Sequence, residues 1–285
     1  MAIVWIDGEW RSREDARISV YDHGLLYGDG LFEGLRWYSG RIFRLDAHLD
    51  RLWDGARAIA LSLPYTRDEM AATLREGVER AAKPDGYIRL VVTRGVGDLG
   101  ISPALCPRPT VLSIFDDIRL YPRECYERGI AVVTASSRRL QGDVFDPRIK
   151  SLNYLNNVLA KLEAQVAGCM EAVFLNREGY VTECTGDNVF IVKNGVLKTP
   201  AVWLGLLEGI TRNSILEIAR GSFKRVEETT MTKFDLYTAD ECFLTGSGAE
   251  VIPVTKIDGR AIGTGEPGPM TEGLRAEFAR AVRQG

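Results

Sequence analysis

Apolar positions in the first third of the chain recur first with a period of two and then with a period near 3.6. Short apolar runs at 2–6, 9–11, 31–38 and 41–43 flank Asp7-Gly8 and Ser39-Gly40, dipeptides suited to tight reversals, so they predict hairpins. Leu49, Leu52, Ala56 and Ala60 repeat at helical spacing behind Asp46, an N-cap candidate, and predict a helix over 46–60. Thr66 and Glu69 form a capping box for a second helix that ends near Ala82. Runs rich in β-branched residues predict strands at 87–95 and 109–115, with the glycine-rich GVGDLG at 95–100 after the first, and a further strand at 129–136.

Beyond that point a helix is predicted over 152–166, with Leu152, Leu155, Leu159 and Leu162 on one face. Strands follow at 171–175 and 180–184, and 188–199 is a hairpin turned by Asn194-Gly195. A helix at 210–220, strands at 241–245 and 250–257, a turn at Asp258-Gly259 and a helix from about Met270 complete the pattern. Hairpins and separate helices in this order imply an α+β chain with mixed antiparallel sheets, not a doubly wound parallel sheet. The expected division is a small N-terminal domain at 1–118, a polar, proline-containing linker at 119–128 and a larger C-terminal domain at 129–285.

Composition narrows the function classes. A formal charge of −3 spread over 285 residues gives no basic footprint for nucleic acid. The opening MAIVWIDGEW meets charge at Asp7 and does not read as a signal peptide, and no apolar stretch approaches the roughly 20 residues that cross a bilayer. Five cysteines, odd in number and without a C-x-x-C pair, favour reduced thiols in a cytoplasm, and two histidines are too few for a His-based metal site.

Three features bear on chemistry. Lys150, in DPRIKSLNYLNN (146–157), follows Pro147 on a stiff stretch and precedes Ser151, a helix cap candidate, with Tyr154 one turn on. Read alone it is a surface lysine; in company it is the residue type that forms a Schiff base with a carbonyl cofactor. Glu183 shares a strand face with Val181, so it is either a rim residue or a buried carboxylate that needs a cation or a proton. GITRNS (209–214) and TGSGAE (245–250) each offer backbone N–H groups suited to an anion, although each alone is also an ordinary N-cap or turn. A lysine, an acid for a ring nitrogen and a phosphate cradle together are the requirements of pyridoxal phosphate.

On these residues the chain resembles the fold-type IV pyridoxal-phosphate enzymes, most closely the branched-chain amino acid aminotransferases. The resemblance runs through YGDGLFEGLR (27–36), YIRLVVTRGVGDLG (87–100), PRIKSLNYLNNVLAK (147–161), TECTGDNVF (182–190), LEGITR (207–212) and LTGSGAEVIPV (244–254). It implies a two-domain fold like that of D-amino acid aminotransferase, and Lys150 as the cofactor-linked acid and base. Glu183 would pair with the pyridine nitrogen, Tyr154 would lie near the phenolic oxygen, and Leu207 would pack on the ring. Arg51 would bind the phosphate with Gly209, Ile210, Thr211 and Ser247, although from its helix alone Arg51 is a solvent-facing charge. Phe32, Gly34, Arg36, Tyr87, Arg89, Gly248 and Ala249 would line the substrate side, with Tyr27 and Ile101 entering from a second copy of at least a homodimer.

The implied reaction moves the amino group of L-leucine, L-isoleucine or L-valine to 2-oxoglutarate in two half-reactions. D-amino acid transamination, (R)-amine transamination and aminodeoxychorismate lysis are the alternatives within the fold. One departure stands out: the family's Gly-Thr-Ala-Ala is Gly-Ser-Gly-Ala here at 246–249. Gly248 lacks a methyl where the substrate carboxylate is expected, which implies a roomier, looser pocket.

Overall fold

A computed structural model describes residues 3–140 and 142–284; Ala2, expected at the start of the first strand, lies outside the described residues. The chain forms two compact units: residues up to 118 with the segment 149–153, and residues 119–148 with 154–284.

The first unit contains β1 (Ile3–Ile6), β2 (Glu9–Ser12), α1 (His23–Tyr27), β3 (Gly30–Tyr38), β4 (Arg41–Ile42), α2 (Leu45–Ala58), α3 (Arg67–Ala81), β5 (Gly86–Thr93) and β6 (Thr110–Asp116). The strands make an antiparallel sheet in the order β2-β1-β6-β5-β3-β4. Leu31, Leu35 and Trp37 of β3 and Ile88, Leu90 and Val92 of β5 pack against Leu45, Leu49 and Leu52 of α2 and Met70, Leu74 and Val78 of α3. The period of two therefore turns Phe32, Gly34, Arg36, Tyr87 and Arg89 to the opposite face. The Thr66–Glu69 capping box is present. Helix α2 instead starts behind Arg44 in the left-handed region, φ 51°, so Asp46 lies in its first turn and does not cap it.

The position of Lys150 differs from the expected domain division. Phe32 donates its N–H to the Lys150 carbonyl at 3.0 Å, and Leu152 donates to the Gly30 carbonyl at 3.0 Å. Ser151 bridges Leu31, on the edge of β3 that β4 covers only at Trp37 and Tyr38. Ile149 packs on the core of this unit. Backbone pairing thus holds Lys150 to the N-terminal sheet, not within a domain spanning 129–285. Because 150–152 pairs with β3, the following helix starts at Leu155, and Ser151 does not cap it; its hydroxyl accepts the Asn153 N–H at 3.1 Å.

The second unit contains α4 (Arg123–Arg128), β7 (Ile130–Arg138), α5 (Leu155–Val166), β8 (Glu171–Leu175), β9 (Val181–Cys184), β10 (Asn188–Lys193), β11 (Val196–Pro200), α6 (Ile210–Ala219), β12 (Arg225–Thr229), α7 (Lys233–Tyr237), β13 (Glu241–Gly246), β14 (Glu250–Ile257), β15 (Arg260–Ala261) and α8 (Pro269–Gln284). Its sheet runs β12-β11-β10-β13-β14-β7-β8-β9, with β15 on β14; β12/β11, β14/β7 and β7/β8 are parallel. The expected linker folds with this unit: it holds α4, and Tyr121 is buried in the core with Ile130, Val189 and Leu244.

Helix α5 turns the opposite way from expectation. Asn157, Ala160 and Ala164 face inward, with the two alanines against Ala135, Ala172 and Phe174, while Leu155, Leu159 and Leu162 are 70%, 48% and 50% exposed. Small side chains let the helix lie close to β7 and β8. Periodicity identifies residues that share a face; it does not identify the face that is covered.

Candidate active site

In the first unit the Lys150 amine lies 4.5 Å from the centre of the Phe32 ring. The Arg89 guanidinium lies 4.6 Å from the same ring and 5.5 Å from that of Tyr87. The sheet register sets this cluster, because Gly34 is directly opposite Arg89 and Arg36 opposite Tyr87. A Cβ on Gly34 would come within 2.2 Å of the Tyr87 hydroxyl, so only glycine leaves the tyrosine its place. The result is an aromatic wall bearing a guanidinium and an amine, suited to apolar side chains and carboxylates.

Glu33, between Phe32 and Gly34, faces the helices and is fully enclosed. Its carboxylate accepts Arg51 Nε at 2.8 Å and Nη2 at 2.7 Å, with His48 Nδ1 at 2.7 Å. Burial opposes the Glu33 charge, but the charge and hydrogen bonds of Arg51, joined by His48, hold the carboxyl well below the usual range. Burial also lowers the His48 pKa, against the pull of Glu33, so the imidazole is neutral and donates from Nδ1. Glu33 thus orients Arg51, the expected phosphate ligand. Both partners escape sequence reasoning, although Glu33 carries a legible signal: an acid in register with Leu31, Leu35 and Trp37 on an apolar strand face.

Tyr27 and Ile101 are exposed, Ile101 at 81%. The loop carrying Ile101 is tied to α1, for Gly100 donates to the Tyr27 hydroxyl at 2.9 Å and His23 Nε2 meets the Asp98 carbonyl at 3.0 Å.

In the second unit Glu183 is 5% exposed, on a strand buried on both faces. Its Oε1 accepts Arg139 Nε at 2.7 Å and its Oε2 accepts the Leu207 N–H at 3.1 Å. The cation required by a buried carboxylate is therefore Arg139, which nothing in the sequence pattern singles out. Tyr154 occupies the N-cap of α5, and its carbonyl accepts the Val158 N–H at 2.9 Å.

Gly209 caps α6 without a side-chain hydrogen bond, leaving the N–H groups of the first turn to an external acceptor; Thr211 is buried beside them. A Cβ on Gly209 would fall 2.0 Å from Asn188 Oδ1, whose amide also donates to the Leu207 carbonyl at 2.9 Å. Arg212 anchors the same turn to the Pro200 carbonyl at 3.0 Å and Glu228 at 2.7 Å. The 246–249 loop joins β13 to β14. Gly246 is required there because Asp187 Oδ1 would lie 2.1 Å from a Cβ. Ser247 and Gly248 are half-buried, and Ala249 is buried with its carbonyl accepting from the Tyr126 hydroxyl at 3.0 Å. The buried Thr245 hydroxyl has no hydrogen-bond partner among the described residues.

These donors fit pyridoxal phosphate. Taken separately, the first unit carries an amine and an oriented arginine, and the second a buried carboxylate, a helix N-terminus with no side-chain cap and a glycine-bounded loop, each a donor type that this cofactor requires.

Comparison with known proteins agrees. The family model described as amino-transferase class IV matches residues 30–257. A putative branched-chain-amino-acid aminotransferase of Methanocaldococcus jannaschii is 48% identical over 96% of this chain and 94% of that protein. A D-alanine aminotransferase of Bacillus licheniformis is 36% identical over 98% of this chain and 96% of its own length. The crystal structure of the branched-chain amino acid aminotransferase from Thermobaculum terrenum in its PLP-form matches with a TM-score of 0.88 at 32% identity, over 99% of this chain and 94% of that one.

Proposed function

The chain belongs to the class IV aminotransferases, which use pyridoxal phosphate, and on that basis we propose that it transfers the amino group of L-leucine, L-isoleucine or L-valine to 2-oxoglutarate. The observation that carries this reading is the β3/β5 face, where Phe32 and Tyr87 surround Arg89 beside the Lys150 amine. Aromatic walls accept a branched aliphatic side chain, and Arg89 or Arg36 accepts the distal carboxylate of 2-oxoglutarate when that substrate takes the same place.

When bound, the cofactor supplies an electron sink for the charge developed at Cα and carries the amine between half-reactions. Lys150 Nζ takes the proton from the substrate Cα. Glu183 would pair with the ring nitrogen, and Leu207 and Tyr154 would help to hold the ring. Arg51, Gly209, Ile210, Thr211 and Ser247 would hold the phosphate, while Gly248 and Ala249 would meet the substrate carboxylate. A homodimer belongs to the same reading, supported by the exposure of Tyr27 and Ile101, and a cytoplasmic setting rests on the scattered cysteines.

The similarity to D-alanine aminotransferases favours D-amino acids as the second reading. Mixing the holoenzyme separately with L-leucine, D-alanine and (R)-1-phenylethylamine distinguishes them: L-leucine is expected to change the cofactor absorbance and the other two to leave it. A response to D-alanine alone selects the second reading. Leucine transamination retained by a Lys150→Ala protein would remove Lys150 from its role.

A further inference from the structure

Arg139 follows directly after β7, and its side chain is 9% exposed. Its Nε grips Glu183 Oε1 at 2.7 Å, while Nη1 donates to Asn157 Oδ1 at 3.2 Å. Asn157, on the inward face of α5, donates to the Thr185 carbonyl at 2.7 Å, two residues beyond Glu183 on the same stretch of chain. The guanidinium stands 5.7 Å from the Phe174 ring, and the Arg139 N–H donates to the Leu175 carbonyl at 3.0 Å. Glu183 Oε2 is held from another direction by the Leu207 N–H. Each carboxylate oxygen therefore has its own donor, and the arginine that supplies one of them is itself fixed at three points. A glutamate side chain has three rotatable bonds, and this arrangement selects one orientation before any ligand arrives.

Resting on the reading of Glu183 given above, we infer that Arg139 is a positioning residue that orients Glu183 for the pyridine nitrogen of the cofactor. It acts through Glu183 and not by contact with the substrate. An ion pair that served only the fold would alter stability when broken and leave the state of the ring nitrogen untouched, which makes the two roles separable.

The test uses holoenzyme loaded with pyridoxal phosphate carrying nitrogen-15 in the ring, whose NMR shift distinguishes protonated from unprotonated nitrogen. Arg139→Met is expected to move the shift toward the unprotonated value and to speed cofactor release by roughly ten- to a hundredfold. Arg139→Lys, which keeps the charge and loses the planar fork, should stay near the wild-type shift. If Arg139→Met does not fold by circular dichroism, Asn157→Ala provides the same reading through loss of the Nη1 contact, with a smaller displacement in the same sense. A folded Arg139→Met or Asn157→Ala holoenzyme with wild-type shift and release rate overturns the inference. Glu183→Gln separates the two levels: if it too leaves the nitrogen protonated, the pairing of Glu183 with the ring is wrong, whereas a shift in Glu183→Gln alone removes only the role of Arg139.

Discussion

Glu33 and Glu183 are both buried acids on strands, and the structure gives each an arginine at hydrogen-bond distance. For Glu33 the surroundings are so enclosed that loss of its charge leaves Arg51 without its carboxylate and places an amide N–H toward groups that donate. Glu33→Gln is expected to destabilise the fold by about 3–5 kcal/mol, the usual cost of breaking a buried pair, read as a fall in melting temperature. Because Glu33 orients Arg51, the same variant should weaken pyridoxal phosphate more than phosphate-free pyridoxal in a cofactor titration; equal weakening would show that Arg51 does not serve the phosphate. The acid itself is legible in the period of two. Its partners are not, since Arg51 lies 18 residues away on another element.

At the scale of elements, the strands and the capped helix α3 follow the local pattern closely, whereas α5 reverses its face. The reversal has a measurable consequence. Ala160 and Ala164 lie where the helix approaches the sheet, so Ala160→Leu should cost about 1–3 kcal/mol by overpacking, measured by denaturant unfolding. Had Leu155, Leu159 and Leu162 been the buried face, the same change at Ala160 would be nearly neutral. The five-residue helices α1 and α7 leave no trace in the pattern because so short a segment completes too few turns to show a period. The α4 residues read as a linker for the same reason, and the packing of Cys125 and Tyr126 beside the buried Tyr121 shows that the segment is part of a core.

The whole molecule carries several buried titratable groups whose shifts define a pH window. Folded His48 resists protonation because burial lowers its pKa from 6.5, so below that pH the unfolded chain binds more protons and stability falls; Glu33, held below 4.5, adds to the loss further down. Burial raises the Cys184 and Cys242 thiols above 9.0 and the Tyr121 hydroxyl above 10.0, so on the alkaline side the unfolded chain loses protons first and stability falls again. The melting temperature should therefore hold a plateau between about pH 6.5 and 9 and decline on both sides. A melting temperature still rising from pH 9 to 10 would contradict the assignment of the buried thiols and tyrosine.

The sequence by itself determined most of the longer strands and helices and offered Lys150 and Glu183 as candidate reactive groups, because hydrophobic period, turn dipeptides and capping residues act over a few neighbouring positions. It also carried enough ordered motifs to indicate the family and its cofactor. Only the tertiary structure decided that Lys150 pairs with the edge of β3, that Arg139 and Asn157 hold Glu183, that Glu33 orients Arg51, and which face of α5 is inside. Each of these is set by long-range backbone pairing, by close packing of a helix on a sheet or by the need of a buried charge for a partner, and all three depend on how distant elements pack, not on any local spacing.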